Sequence, residues 1–308
     1  MKKILVNGNN YQSDYIAPLS RFLSALLSSG RVEMAVVPRF MSYLRETFPA
    51  LTPLMAEAAP GFVPDLVLSI GGDGTFLSTA AIVGDTEVPV MGINSGHLGY
   101  LAAARISEVD TLVKAILEDR YVVSPRSLIE VYCRESNGDC DSAFPETLYA
   151  LNEVAFMKQD TASMIDVTTT VSVPPIDSAP GYSMTLADYL ADGLIVATPT
   201  GSTGYNLSVG GPIVFPSAHN FILSPIAAHS LTMRPLVLPD SVELDIVTTS
   251  RTGQFLLSVD GRSRIYPAGT RFHLRKALFS VNLVHLPEHN FIETLRTKLL
   301  WGMTGRSV

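Results

Sequence analysis

Between residues 65 and 82 an apolar run, Asp65-Leu-Val-Leu-Ser-Ile70, breaks into Gly71-Gly72-Asp73-Gly74-Thr75 and resumes as the helix-like Phe76-Leu77-Ser78-Thr79-Ala80-Ala81-Ile82. A strand feeding a glycine turn and then a helix is the unit from which open α/β sheets are wound, so the flanking chain should supply more of the same. It does. Ile4 to Val6 reads as a first strand, and Ile16, Leu19, Phe22, Leu23, Leu26 and Leu27 recur at helical spacing, with Gly30 at the place of a C-terminal cap. Val88 to Ile93 gives a further strand, followed by the turn Asn94-Ser95-Gly96-His97-Leu98-Gly99. Val109, Leu112, Val113, Ile116 and Leu117 then share one helix face, for which Ser107 and Asp110 offer a capping box. Strands and helices alternating in this way predict a parallel sheet covered on both faces.

Near residue 121 the pattern changes. Ile165 to Val173 alternates apolar and polar residues, and Leu128–Cys133, Leu194–Thr198, Val242–Thr248, Phe255–Val259 and Phe279–His285 are further β-type runs. Asp260-Gly261 between two such runs predicts a hairpin turn. From Asn290 to Trp301 helical spacing returns through Phe291, Leu295, Lys298 and Leu299. The expected fold is therefore α/β plus all-β. A doubly wound α/β domain covers residues 1–120, a β-sandwich-like domain covers 121–285, and a C-terminal helix from about 286 to 308 packs back on the first domain.

A chain of 308 residues has room for two domains, and 47% hydrophobic against 17% charged residues excludes intrinsic disorder. The net charge of −7 argues against nucleic acid as a partner. Mean hydropathy is positive, yet no window approaches the roughly 18 apolar residues of a membrane span. Two lysines and a short apolar run at the start do not make a signal peptide, so the expected compartment is the cytoplasm, with no membrane partner. Cys133 and Cys140 are too few for a disulfide framework and read as a small hydrophobe and a loop thiol.

Glycines let backbone amides approach phosphate oxygens, and a helix N-terminus adds a partial positive charge. Gly71, Gly72, Gly74 and Thr75 thus form a turn suited to a phosphate or a ribose. The turn is neither a Walker A loop, which needs Gly-Lys-Ser/Thr, nor the dinucleotide fingerprint, since position 77 is leucine. An acidic side chain in its centre would repel a bare phosphate. Asp73 either accepts the proton of a hydroxyl that attacks a phosphoryl group, or caps the following helix.

A second cluster runs from Asp192-Gly193 through Thr198-Pro199-Thr200-Gly201-Ser202-Thr203-Gly204-Tyr205-Asn206-Leu207-Ser208 to Gly210-Gly211-Pro212. It offers hydroxyls and free amides, and Tyr205 presents a flat face for a base; a plain Gly/Ser/Thr loop is the alternative. Asn152-Glu153 could read an adenine edge and accept from a ribose diol, or be two polar residues at a strand end.

In order along the chain, Gly-Gly-Asp-Gly-Thr, Gly92-Ile-Asn-Ser-Gly-His-Leu-Gly-Tyr-Leu101, Asn152-Glu153, the Asp192 to Gly211 block, and Pro225-Ile-Ala-Ala-His229-Ser-Leu231 with Arg234-Pro235 closely resemble the NAD kinase family. Gly-Gly-Asp-Gly-Thr is shared with lipid kinases and, with serine, phosphofructokinases; the Asp192 block is far more specific. The resemblance implies transfer of the γ-phosphoryl of ATP, or in some members of inorganic polyphosphate, to the 2′-hydroxyl of the adenosine ribose of NAD, giving NADP. It implies Mg²⁺ or another divalent metal carried by the nucleotide rather than by fixed protein ligands. By matched positions, Asp73 is the base and Gly74 lies beside it at the ribose. Asn152 and Glu153 bind adenosine, and Asp192 sits at the nicotinamide side. Thr203, Gly204, Tyr205, Asn206 and Ser208 line the dinucleotide. In relatives the Asp-Gly aspartate can come from a neighbouring subunit, which implies a homodimer or homotetramer.

Two positions depart from the pattern or stay open. Leu190 stands where many relatives carry a basic residue, and His229 reads equally as a ligand contact or a satisfied buried histidine. The competing functions are a diacylglycerol- or sphingosine-type lipid kinase, against which the Asp192 block and the negative charge count, and a non-catalytic dinucleotide sensor, against which Asp73 counts.

Overall fold

Short strands that are apolar on both faces carry the first half of the chain. In a computed structural model, residues 1–9, 15–96, 99–133, 147–160, 163–175, 180–288 and 290–300 are described. His97, Cys140 and Trp301 lie outside them. The chain divides into two units, Met1–Pro125 with Val281–Val308, and Arg126–Ser280.

The first unit contains β1 (Lys2–Gly8), α1 (Ile16–Ser28), β2 (Val32–Val36), α2 (Pro38–Thr47), β3 (Ala56–Glu57), β4 (Leu66–Ile70), α3 (Asp73–Val83), β5 (Val90–Asn94), β6 (Ala104–Arg105) and α4 (Val109–Leu117). Its strands pair in parallel in the order β3-β2-β1-β4-β5, with β6 also on β5. Ile4, Val6, Leu66, Leu68 and Ile70 face one side, where they share a core with α1, α2 and α4. The alternate residues Asn7 and Ser69 face α3 on the other side, so the sheet is wound on both faces. The order of connection reverses between β1 and β4, and in open α/β sheets ligands bind at that reversal, outside the carboxyl ends of the strands. The glycine turn is the carboxyl end of β4.

Gly30 follows α1 with φ +64°, the left-handed conformation that a helix stop favours. The capping box at α4 does not form: Glu108 is the N-cap residue, and no side chain caps the helix. Asp110 instead forms an ion pair with Arg21 at 2.7 Å.

The second unit is built from β7 (Val122–Cys133), β8 (Leu148–Ala150), β9 (Glu153–Met157), β10 (Ile165–Val173), β11 (Tyr182–Ala191), β12 (Gly193–Ala197), the single turn α5 (Tyr205–Ser208), β13 (Asn220–Ile226), β14 (Leu236–Pro239), β15 (Glu243–Ser250), β16 (Gln254–Val259), β17 (Arg262–Pro267) and the first part of β18 (Arg271–His285). One sheet runs β11-β10-β15-β18, with β7 on β18; the other runs β14-β13-β12-β9-β16-β17. Inward residues of both, among them Val167, Ile246 and Phe272 from the first and Phe156, Val196 and Phe255 from the second, form one core, which makes the unit a sandwich. Cys133 is disulfide-bonded, so its reading as a free small hydrophobe is corrected.

The chain then returns to the first unit. Leu283 and Val284, at the end of β18, pair in parallel with β5, and α6 (Phe291–Leu299) starts at Asn290, whose side chain accepts the Glu293 N–H at 2.9 Å.

Candidate active site

In the first unit the site is built around Asp73. The alternative that it caps the helix is not what forms. Gly72 is the N-cap residue, Asp73 is the first residue of α3, and no side chain caps that end. The two Asp73 carboxylate oxygens instead accept the Tyr100 N–H at 3.0 Å and the Leu101 N–H at 3.2 Å. Two backbone donors hold a carboxylate in one orientation without neutralising it. Gly99 makes this possible, because a Cβ there would overlap Asp73 Oδ1.

Underneath, Asn7 donates to the Thr79 hydroxyl at 2.9 Å, and Thr79 reaches the Ser69 hydroxyl at 2.8 Å. These buried contacts tie α3, and with it Asp73, to β1 and β4. A Cβ on Gly72 or Gly74 would meet nothing within 4 Å. Glycine in a helical turn costs about 1 kcal/mol against alanine, and packing inside the chain does not require it here.

In the second unit Asn152 and Glu153 open β9, and Asp260 fixes them from below. The Asp260 carboxylate accepts the backbone N–H groups of Leu151, Asn152 and Glu153 at 2.7, 2.8 and 3.1 Å. Asp260 and Gly261 have φ +49° and +77° and turn β16 into β17, the hairpin expected from the sequence. Burial raises the Asp260 carboxyl, and the three amides pull against that rise.

From above, a Cβ on Gly204 would come 2.9 Å from Glu153 Oε2, and one on Gly201 would overlap the Asn152 carbonyl. Glu153 Oε2 is buried without a hydrogen-bond partner, while the Tyr205 N–H donates to the carboxylate. Burial first, and the Asp260 charge second, raise the Glu153 carboxyl to about 7.

Past β12 the expected loop is partly helical: a 3₁₀ turn spans Thr200–Thr203, then α5 follows. Tyr205 is 39% exposed, leaving its ring available for stacking. Thr203 is partly buried and Ser208 exposed. Asn206 is a correction. Its side chain is fully buried, donates to the Ser202 and Pro212 carbonyls at 3.2 and 3.1 Å and accepts from Ser224 at 2.6 Å. It ties the loop together rather than lining an opening.

Asp192 forms an ion pair with Lys158 at 2.7 Å. A basic residue does therefore stand beside the Asp-Gly pair, supplied by the end of β9 and not by position 190. Leu190 is 41% exposed on β11, and its carbonyl accepts the His229 N–H at 2.9 Å. His229 is exposed, which overturns the buried-histidine reading.

Residues 51–121 match the ATP-NAD kinase N-terminal domain, and residues 151–286 match the ATP-NAD kinase C-terminal domain. The chain is 39% identical to an NAD kinase of Porphyromonas gingivalis, over 99% of this chain and 100% of that protein. It is 37% identical to one of Flavobacterium johnsoniae, again over 99% and 100%.

The chain belongs to the NAD kinase family.

Its chemistry is that of the family, phosphoryl transfer to an alcohol acceptor, and neither the lipid kinase nor the sensor reading is favoured. The fold agrees. A yeast NADH kinase crystallised with NADH superposes with a TM-score of 0.84 at 24% identity, covering 100% of this chain and 90% of that one. An NAD kinase from Archaeoglobus fulgidus in complex with ATP gives 0.67 at 24% identity, covering 97% and 99%. The contacts that Gly99, Asp260 and Lys158 make were not legible in their local sequence. Each acts on a candidate residue distant in the chain or, for Lys158, on one that needed the strand pairing to locate.

Proposed function

We propose that the protein makes NADP by transferring the γ-phosphoryl of ATP to the 2′-hydroxyl of the adenosine ribose of NAD, with Asp73 as the base. The observation that carries this is the Asp73 carboxylate, oriented by two backbone amides beside two glycines that packing does not require. In the transfer a bond forms between the 2′-oxygen and the γ-phosphorus. The bond from that phosphorus to the bridging oxygen breaks, ADP leaves, and the hydroxyl proton passes to Asp73. A positioned base contributes about 10²- to 10⁴-fold in rate. Orientation adds to this, since Asp73 cannot swing away while the Tyr100 and Leu101 amides hold it.

In this reading Asn152 and Glu153 take the adenosine, Glu153 accepting from the ribose diol through its unpartnered oxygen. Tyr205 stacks on a base, Thr203, Gly204 and Ser208 lie along the dinucleotide, and His229 makes a contact of its own. Asp192, charge-balanced by Lys158, serves the nicotinamide side, contributed as Asp192 of the partner subunit in a homodimer or homotetramer. Gly71, Gly72, Gly74 and Thr75 face the phosphates. In this reading Mg²⁺ arrives as part of the substrate MgATP, where it would neutralise charge on the phosphates. Polyphosphate is a second phosphoryl donor, and the cytoplasm is the compartment. Among the described residues no helix is long and apolar enough to cross a membrane.

The test uses purified protein with radiolabelled MgATP and either NAD or diacylglycerol. Label in NADP, read also by an NADP-specific dehydrogenase, is the expected result. Label in extracted lipid, or in neither acceptor, contradicts it.

A further inference from the structure

Helix α6 brings a cation to the loop that holds Asp73. Asn290 caps the helix, Leu295 anchors it in the first unit at 7% exposure, and Lys298, three residues further on, falls on the same side of the helix. Its ammonium lies 4.3 Å from the centroid of the Tyr100 ring, and Tyr100 is the residue whose N–H orients Asp73. The ammonium is close enough to feel the Asp73 charge, yet among the described residues it has no hydrogen-bond acceptor and no ion-pair partner. The Asp73 oxygens are already occupied by two backbone donors. Burial lowers the Lys298 ammonium from its ordinary value, and the Asp73 charge pulls the other way. A half-buried ammonium with only a ring face for company needs an anion.

Nearby side-chain chemistry limits what that anion can be. Tyr100 has its hydroxyl buried without a partner and its pKa raised by burial and by Asp73, so it stays a neutral phenol and does not supply the charge. Among the described residues no side chain supplies that anion, so a bound ligand is its source, and that ligand must tolerate Asp73 close by. A phosphoryl group that accepts an oxygen nucleophile deprotonated by Asp73 meets both conditions, because its oxygens carry the charge the ammonium lacks.

We propose that Lys298 is a catalytic residue that binds the phosphoryl donor at its terminal phosphate, placing a positive charge on the side of the transferring group next to Asp73. The donor class is a triphosphate or a longer polyphosphate chain. Lysine suits the task as a compact point charge on a flexible stem, able to follow the phosphorus from donor to acceptor oxygen. The proposal rests on the kinase reading above.

Lys298→Met keeps the aliphatic stem over Tyr100 and removes the charge; Lys298→Arg keeps the charge. Steady-state kinetics with NAD and MgATP are joined by equilibrium binding of inorganic tripolyphosphate, which requires no turnover, and of NAD as a control. Expected for Lys298→Met are a loss of at least tenfold in kcat/KM for ATP, tripolyphosphate binding at least fivefold weaker, and NAD affinity within twofold of wild type. Lys298→Arg should recover most of both losses. Should wild type fail to make NADP, the kinase reading is lost while the tripolyphosphate comparison still decides the role of Lys298. Wild-type tripolyphosphate binding in a folded Lys298→Met would overturn the proposal, and so would equal losses for ATP and NAD. If Lys298→Met proves unstable, tripolyphosphate binding by Lys298→Gln serves in its place.

Discussion

Asp73 is oriented through a contact made 27 residues further along the chain, so its function can be tested at a residue with no chemistry of its own. A methyl group at position 99 would sit where Asp73 Oδ1 is. Gly99→Ala should therefore push the carboxylate out of line and lower kcat about a hundredfold, the usual scale for an ångström of misplacement. NAD affinity should stay within about threefold. Wild-type kcat in that variant would show that the amide contacts do not place the base.

Glu153 supplies a test by pH. A ribose diol needs an acceptor, so KM for NAD should fall as pH rises from 6 to 8, around a midpoint near the raised value of about 7. Glu153→Gln should flatten that dependence. Stability should move the opposite way. The folded carboxyl holds its proton more tightly than the unfolded one, so its contribution is complete below pH about 4.5 and is lost as pH rises through 7. The shift is worth up to about 3 kcal/mol. The melting temperature of wild type should fall across this range relative to Glu153→Gln; parallel curves would contradict the assignment. At this scale the sequence exposed Asp73, because glycines flank it and a carboxylate looks wrong among them. Asp260 stayed hidden, because a turn aspartate looks the same whether or not three amides more than a hundred residues away rest on it.

Among the elements, the β16–β17 hairpin is more than a connection, since its turn residue carries the Asn152-Glu153 strand end. Asp260→Ala leaves three amides without their acceptor and should destabilise the protein by about 2–4 kcal/mol. It should also raise KM for NAD well above any change for ATP, a split that general loosening would not produce. Equal changes for both substrates would sink the clamp. The elements legible in the sequence were those whose pattern came from burial on one face. β10 is one, with Ile165, Val167 and Val171 inward. β11 was not, because it lies at the edge of its sheet with Tyr182 and Met184 exposed, and no alternation marks it. The α4 capping box matched in sequence, but the chain enters that helix one residue later, at Glu108. The Thr200–Ser208 segment read as loop because its order comes from hydrogen bonds to Asn206 and Ser202, which no periodicity records.

The whole molecule joins an α/β unit, which carries the proposed base, to a sandwich that carries the proposed adenosine contacts. The switch from alternating helices and strands to strands alone was plain in the sequence. The return of the chain was legible as the β-type run Phe279–His285 and the helical spacing after Asn290, but the parallel pairing of the end of β18 with β5 was not. In the oligomer proposed here, Asp192 of the partner subunit completes each site. Mixing subunits of Asp73→Asn with subunits of Asp192→Ala should then restore activity that neither variant has alone, to about a quarter of wild type for random pairing into dimers. No recovery in a verified mixed dimer would mean that each chain uses its own Asp192.

The most direct measurement is single-turnover NADP formation by Asp73→Asn beside wild type, at saturating MgATP and with NAD binding measured on the same samples. A loss of at least about a hundredfold in rate with NAD affinity unchanged is the expected result. Equal rates would leave the family membership intact and would contradict Asp73 as the base.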